Sequence, residues 1–70
     1  MSKQFNIARA IKEFRANAGL TQEALARKAD ISYNTIIKLE SGAIKDPRIS
    51  TLVKVAKALE IQINELISEK

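Results

Sequence analysis

The chain has 70 residues, of which 46% are hydrophobic and 29% charged, and it carries a net charge of +4. This length supports one hydrophobic core and excludes a cleft between two lobes, and the composition excludes a disordered chain. Because the chain has no Cys and no His, it lacks disulfides, thiolate chemistry, the usual zinc ligands and the commonest general base. We therefore expect a single domain over residues 1–70, without a metal or other cofactor and without enzyme activity.

Positive charge is concentrated in the first two thirds of the chain. Residues 1–48 carry nine basic and five acidic side chains, whereas residues 49–70 carry three of each. This distribution favours a polyanion partner for the first part, and an ordinary solvated surface is the alternative. No apolar run is long enough for a membrane span or a signal peptide, so we expect a cytoplasmic protein.

The first two helices are predicted from apolar spacing and from the residues at their ends. The first is expected from Asn6 to Ala18, and Gly19 supplies the left-handed residue that ends it. Thr21 is then the N-cap of a second helix over Gln22 to Ala29. The residues that form the apolar faces of the two helices are Ile7, Ile11, Phe14, Ala18, Leu25 and Ala26.

Three further segments with helical spacing follow after a break of three residues. Ser32 caps a helix that runs to about Ser41 and ends before Gly42. Another helix begins between Arg48 and Ser50, and a last short helix covers Gln62 to Ser68. The inward residues of these segments are Ile36, Leu39, Leu52, Val55, Ala56, Leu59, Leu66 and Ile67. Since no stretch alternates as a strand would, the chain is predicted to be all-α, with four or five helices.

The junction between the second and third predicted helices has the features of a steep helix crossing. Only about three residues join the two helices, and Ala26 supplies the small side chain where their backbones approach. Ile36 fills the angle from the other side, and Asp30 stands where a left-handed residue is wanted. These features fit a helix-turn-helix, although an ordinary hairpin of two helices shares parts of the pattern.

The run LTQEALARKADISYNTIIKLESG, from Leu20 to Gly42, resembles the helix-turn-helix of the phage-repressor and Cro type, also called the xenobiotic-response-element family. Similarity extends to IKEFR before it and to DPRISTLVKVAKALEIQINELI after it, so the resemblance covers nearly the whole chain. Asp30 and Glu60 depart from the family pattern, because each replaces a common glycine. The resemblance implies a compact five-helix, lambda-repressor-like bundle whose third helix enters the DNA major groove. It also implies a bacterial or phage regulator that usually acts as a homodimer.

By this resemblance, the base-reading positions lie on the third helix and are Tyr33, Asn34, Ile37 and Lys38. Helical spacing places the four on one outward face. Asn34 can bond adenine bidentately, Lys38 can donate to guanine O6 and N7, and Tyr33 can contact a phosphate or a thymine methyl. The alternative for Asn34 and Lys38 is a solvated helix face. Ile37 is either a thymine-methyl contact or an incidental apolar residue on the surface.

A second set of residues is expected to contact DNA phosphates, namely Thr21, Gln22, Ser41, Lys45 and Arg48. Thr21 and Gln22 begin a helix whose free N–H groups can face the DNA backbone. The resemblance places Gln22 against a phosphate, in some relatives also bridging to Asn34. The alternatives are pure capping for Thr21 and loop solubility for Lys45 and Arg48.

Arg15 and Glu40 resemble the internal ion pair of the family, which joins the first and third helices. In that arrangement both residues are structural, and removal of one would leave a buried charge without its partner. The competing interpretation is that Arg15 faces a phosphate.

Together these features predict a sequence-specific regulator of transcription that binds double-stranded DNA, acts as a repressor and is associated with the nucleoid. Because one such helix reads only a few base pairs, we expect a homodimer on a palindromic operator, with half-sites about 34 Å apart. The apolar candidates for its interface are Phe5, Ile44, Ile63 and Ile67, each of which is alternatively a core or scattered surface residue.

Two other interpretations remain open at this point. In the first, the protein is an antitoxin of the same fold, which binds a toxin partner and its own operator. In the second, the chain is the DNA-reading part of a longer regulator.

Overall fold

The computed structural model describes residues 7–67, and this part of the chain contains five α-helices and no β-strand. In chain order these are α1 (Ile7–Asn17), α2 (Gln22–Ala29), α3 (Tyr33–Ser41), α4 (Ile49–Leu59) and α5 (Ile63–Ile67). The predicted all-α class and the five-helix count implied by the family resemblance are confirmed for these residues. The longest of these helices have 11 residues, and none is long and apolar enough to cross a membrane.

Two helix boundaries differ from their predicted positions. Ala18 lies one residue beyond α1 and is exposed rather than inward-facing, because the chain already turns towards Gly19 there. At α5, Gln62 precedes the helix, and its backbone N–H donates to Glu65 Oε2 at 3.0 Å. This bond satisfies one N–H at the helix entrance, so Gln62 is a flanking residue and not the first helical one. The predicted limits Asn6 and Ser68 lie outside the described residues.

Side chains cap the N-termini of α2 and α3 as predicted. Thr21 Oγ1 accepts a hydrogen bond from the Ala24 N–H at 3.0 Å, and Ser32 Oγ accepts one from the Thr35 N–H at 3.1 Å. Each bond satisfies one of the N–H groups that have no partner within the helix. The sequence signals therefore locate the first residue of each of these two helices.

Left-handed residues end α2 and α4, and in both places the residue is not glycine. Asp30 has φ +60° and Glu60 has φ +59°, and each lies directly after its helix. The Asp30 N–H donates back towards the carbonyls of Ala26 and Arg27, as expected of this type of helix ending. The two departures from the family glycines therefore keep the turn geometry, at a steric cost that glycine would avoid.

The core lies where all five helices meet. Its most deeply buried side chains, each at most 2% exposed, include one or more from every helix: Ile11, Leu25, Ile36, Leu39, Leu52, Val55 and Leu66. Ala26 is 4% exposed and lies in α2, which packs against both α3 and α4. The small residue is thus buried on the packed side of α2, in agreement with the close helix approach that the sequence predicted.

Candidate nucleic-acid interface

The outward face of α3 is the central feature of the surface. Ile36 and Leu39 anchor the helix in the core, at 0% and 2% exposure. The four predicted base-reading residues are all exposed on the other side of the helix: Tyr33, Asn34, Ile37 and Lys38. An α-helix with its side chains is about 10–12 Å in diameter, and the B-DNA major groove is about 12 Å wide. The helix is therefore presented to solvent in a form that a major groove can accept.

Apolar surface accompanies the polar groups on this face. Tyr33 is 44% exposed and Ile37 is 36% exposed, and both are among the exposed large hydrophobic residues of the described chain. Next to them, Asn34 offers an amide and Lys38 an ammonium group. This mixture matches the base edges of a major groove, which carry both hydrogen-bonding atoms and thymine methyl groups.

The N-terminus of α2 presents its first residue beside the C-terminal turn of α3. Gln22 is half-buried, and its Nε2 donates to Glu40 Oε1 at 3.1 Å. The family resemblance suggested that Gln22 bridges to Asn34 in some relatives, and in this structure the Gln22 amide bonds Glu40. An ionised carboxylate is a strong acceptor for an amide N–H. Sequence analysis missed this contact, because the two residues are 18 positions apart.

Arg15 and Glu40 form an ion pair between α1 and α3. Arg15 Nε lies 2.6 Å from Glu40 Oε2, and Arg15 Nη2 donates to Glu40 Oε1 at 3.1 Å. Arg15 Nη1 donates to the carbonyl oxygen of Leu20 at 2.7 Å, just before the Thr21 cap. The Glu40 side chain is only 2% exposed, and that of Arg15 is 17% exposed. The guanidinium thus bonds α3 and the residue before the Thr21 cap, which is the geometry of an internal ion pair.

The electrostatics of this pair favour the charged form of Arg15. Hydrogen bonding to Glu40 raises the pKa of Arg15 above its ordinary value, although burial alone would lower it. Since arginine is already protonated at any neutral pH, the guanidinium stays cationic and offsets the buried carboxylate.

The connection from α3 to α4 brings three more predicted residues to the surface. Ser41 Oγ donates to the Lys38 carbonyl at 3.2 Å and accepts from the Ala43 N–H at 3.3 Å, so its hydroxyl also helps to end α3. Lys45 and Arg48 are exposed, and Arg48 is the extended N-cap residue of α4 without a side-chain capping bond. Two cations therefore follow the C-terminus of α3 closely in the chain.

Three of the four apolar residues predicted for a dimer interface are partly buried against the core. Ile44, Ile63 and Ile67 are half-buried and pack against it, whereas Phe5 lies outside the described residues. Ile49 is the large hydrophobic residue with the greatest exposure in residues 7–67, at 63%, and sequence analysis did not single it out. Its spacing to Leu52 and Ala56 is that of a buried face, so periodicity alone could not show that the first turn of α4 protrudes.

The sequence profile of the helix-turn-helix family matches residues 11–66. An uncharacterized helix-turn-helix transcriptional regulator from Archaeoglobus fulgidus is 39% identical over 56 residues, which cover 80% of this chain and 79% of that protein. The immunity repressor protein of Bacillus phage phi105 is 36% identical over 64 residues, which cover 91% of this chain and 44% of the repressor.

Solved structures agree with this sequence similarity. The crystal structure of SinR, described as the master regulator for biofilm formation and solved in complex with DNA, superposes with a TM-score of 0.83. It is 28% identical, and the match covers 86% of this chain and 95% of that one.

The fold and the exposed third helix define a helix-turn-helix DNA-binding domain. The chain belongs to the helix-turn-helix family of the phage-repressor and Cro type, whose members include these transcriptional regulators. It is accordingly a DNA-binding regulator of transcription. The antitoxin interpretation finds no support among these relatives.

Proposed function

We propose that this protein represses transcription by binding a palindromic double-stranded DNA operator as a homodimer. The observation that carries the proposal is the exposed face of α3, with Tyr33, Asn34, Ile37 and Lys38 opposite a buried anchor of Ile36 and Leu39. A helix held by its inner face and free on its outer face can enter a major groove without a change in the fold.

The proposed reading roles follow from the side-chain chemistry. Asn34 pairs with an adenine through N6 and N7, and Lys38 donates to O6 and N7 of a guanine. Ile37 packs on a thymine methyl, and Tyr33 contacts a phosphate or a second methyl group. These contacts distinguish base pairs, because each base pair presents a different pattern of donors, acceptors and methyl groups in the major groove.

We propose that residues at the start of α2 and at or after the end of α3 position the protein on DNA by contacting phosphates. These residues are Thr21, Gln22, Ser41, Lys45 and Arg48. The backbone N–H groups at the start of α2 and the Gln22 amide donate to one phosphate, while Lys45 and Arg48 neutralise phosphates beyond the other end of α3. These contacts set the register of α3 in the groove, and they do not depend on base sequence.

A homodimer is proposed because one helix of nine residues contacts too few base pairs for useful specificity. A second copy one DNA turn away, about 34 Å, doubles the site and makes it palindromic. Repression is supported by the similarity to a phage immunity repressor. We further propose that the protein has no enzymatic activity and works in the cytoplasm at the nucleoid, where its operator lies.

The test is selection of bound duplexes from a random library with the purified protein. We expect enrichment of a palindrome with half-sites centred about one helical turn apart. Lys38→Ala should relax the preference at one position of each half-site, with a loss of discrimination of about 1–3 kcal/mol there.

Lys54→Ala is the matched control for this change. It also removes one exposed lysine, but Lys54 lies near Lys28 and Lys57 where α2 meets α4. Its selected site should be identical to that of the unmodified protein. Enrichment of no sequence at all would reject the proposed operator, and an unchanged site for Lys38→Ala would reject the reading role of Lys38.

A further inference from the structure

We infer that Glu40 is a positioning residue for DNA binding, which orients the Gln22 amide so that one N–H group faces the phosphate. This inference rests on the proposed phosphate contact of Gln22. It concerns a residue that is buried in the bundle and that does not itself reach the DNA.

The first step concerns the direction of the amide. Glu40 Oε1 lies 3.1 Å from Gln22 Nε2, and an ionised carboxylate can only accept hydrogen bonds. The amide must therefore turn its nitrogen, and not its oxygen, towards Glu40. Because the NH2 group carries two hydrogens, one remains for another acceptor at the start of α2. A phosphate oxygen is also an acceptor only, so the orientation that Glu40 imposes is the productive one.

The second step concerns charge. A free carboxylate close to a phosphate would repel it, but the Glu40 carboxylate is bonded by Arg15 through Nε at 2.6 Å and Nη2 at 3.1 Å. The pair has no net charge, and the Glu40 side chain is 2% exposed. Glu40 can therefore hold the Gln22 amide without presenting an uncompensated negative charge to the DNA backbone.

The third step concerns the relation between the two DNA-binding elements. Glu40 belongs to α3, the proposed recognition helix, whereas Gln22 is the first residue of α2. Arg15 also donates to the Leu20 carbonyl at 2.7 Å, next to the Thr21 cap. The same buried group thus joins the entrance of α2 to the last turn of α3. A phosphate held at Gln22 is thereby set at a defined distance from the reading face of α3. Because the Gln22 side chain is already ordered in the free protein, its conformational entropy is lost before DNA binds and does not weaken binding.

The experiment measures the coupling between Gln22 and single phosphates. Each phosphate of the selected operator is replaced in turn by a neutral methylphosphonate, and dissociation constants are measured for the unmodified protein and for Gln22→Ala. We expect one phosphate in each half-site whose replacement weakens binding by roughly tenfold, the size of one hydrogen bond to a charged group, and has no effect once Gln22 is Ala. If no phosphate shows this coupling, the proposed phosphate contact fails.

Glu40→Asp then tests the inference itself. It keeps a carboxylate opposite Arg15 but withdraws it by one methylene, about 1.5 Å, which is beyond hydrogen-bond reach of Gln22. We expect the coupling at that same phosphate to fall by most of its tenfold value, and Glu40→Asp to have no further effect on affinity in the Gln22→Ala background. Coupling that persists in Glu40→Asp would overturn the inference and leave the phosphate contact intact. An affinity loss that is equal with and without Gln22 would assign Glu40 a purely structural role.

Glu23→Asp is the matched control, because it shortens an exposed carboxylate of α2 by the same methylene. It should leave the coupling unchanged. A second measurement keeps the inference testable if Glu40→Asp does not fold. In the NMR spectrum of the free, unmodified protein, one of the two Gln22 side-chain N–H protons should exchange with solvent more slowly than the other. Equal exchange of both protons would show that the bond to Glu40 does not persist in solution, and would reject the inference.

Discussion

Arg15 shows how much one side chain connects in a bundle of this size. Its guanidinium reaches Glu40 in α3 and the Leu20 carbonyl before α2, so a single residue of α1 contacts both parts of the helix-turn-helix. The family resemblance predicted the ion pair of Arg15 and Glu40. It did not predict the bond from Arg15 Nη1 to the Leu20 carbonyl, or the bond from the Gln22 amide to the Glu40 carboxylate. Contacts of this kind depend on where three helices meet, which no spacing along the chain records.

At the residue scale, Arg15→Met should lower the free energy of unfolding by about 3–5 kcal/mol, because it leaves the Glu40 carboxylate buried without its countercharge. Small domains are stable by only about 5–15 kcal/mol, so much of the variant would be unfolded at elevated temperature. The pKa of Arg15 is raised in the folded state, so the stabilisation that this shift represents is present throughout the neutral range and is lost as the pH rises to strongly alkaline values. Urea denaturation followed by circular dichroism measures the change.

Two companion variants separate the buried pair from ordinary surface charge. Glu13→Ala removes the exposed pair of Arg9 and Glu13, whose side chains are 73% and 61% exposed, and should change stability by no more than about 0.5 kcal/mol. Arg15→Met combined with Glu40→Leu should recover most of the loss, since apolar residues can replace a buried pair at little cost. If Arg15→Met alone cost less than about 1 kcal/mol, the desolvation argument for this pair would be wrong.

At the element scale, the ends of the helices were the most predictable part of the fold. Thr21 and Ser32 are capping residues by type and by position, and the structure contains both capping bonds. Gly19 and Gly42 have φ of +73° and +82°, as their places after α1 and α3 predicted. Local signals of this kind act over three or four residues, so they can be interpreted without knowledge of the tertiary fold.

The left-handed positions after α2 and α4 give the element-scale prediction. Glu60→Gly should stabilise the protein by about 1 kcal/mol, because glycine adopts positive φ without the steric cost that a Cβ introduces. The Lys28 pair that this change removes is exposed at both ends, at 49% and 81%, and contributes little. Asp30→Gly should stabilise by a smaller amount, since Asp tolerates this conformation better than Glu. The shift in the midpoint of thermal unfolding measures the stability change of each variant.

Glu60→Ala serves as the control for this comparison. It removes the same carboxylate but keeps a Cβ at positive φ, so it should leave stability near that of the unmodified protein. If Glu60→Ala and Glu60→Gly were equally stabilising, the gain would come from the removal of charge and not from relief at the backbone.

At the scale of the whole molecule, the charge distribution predicts a strong dependence of DNA binding on salt. Lys45 and Arg48 of two protomers would neutralise four phosphates, so the logarithm of the binding constant should fall with the logarithm of salt concentration with a slope of about −4 or steeper. Lys45→Ala should make this slope shallower by about 2, because each of the two protomers loses one phosphate contact. Lys54→Ala, which removes a lysine near Lys28 and Lys57, should leave it unchanged.

Fluorescence anisotropy at several salt concentrations measures this slope on a duplex of unrelated sequence as well as on a selected one. The slope should be similar on both, because phosphate contacts do not depend on base sequence. A flat salt response would contradict the assignment of the basic residues to the DNA backbone.

The sequence by itself determined the all-α class, the short turn between α2 and α3, and the outward face of α3, because capping and the 3.6-residue period are local properties of the chain. Residue-level similarity supplied the family and the candidate DNA-contacting positions. Neither could say that the Gln22 amide would bond Glu40, that Ile44 would pack against the core, or that Ile49 would be 63% exposed. These were decided by the tertiary structure, since which groups meet, and which apolar residues the core has room for, depends on how the five helices cross in space.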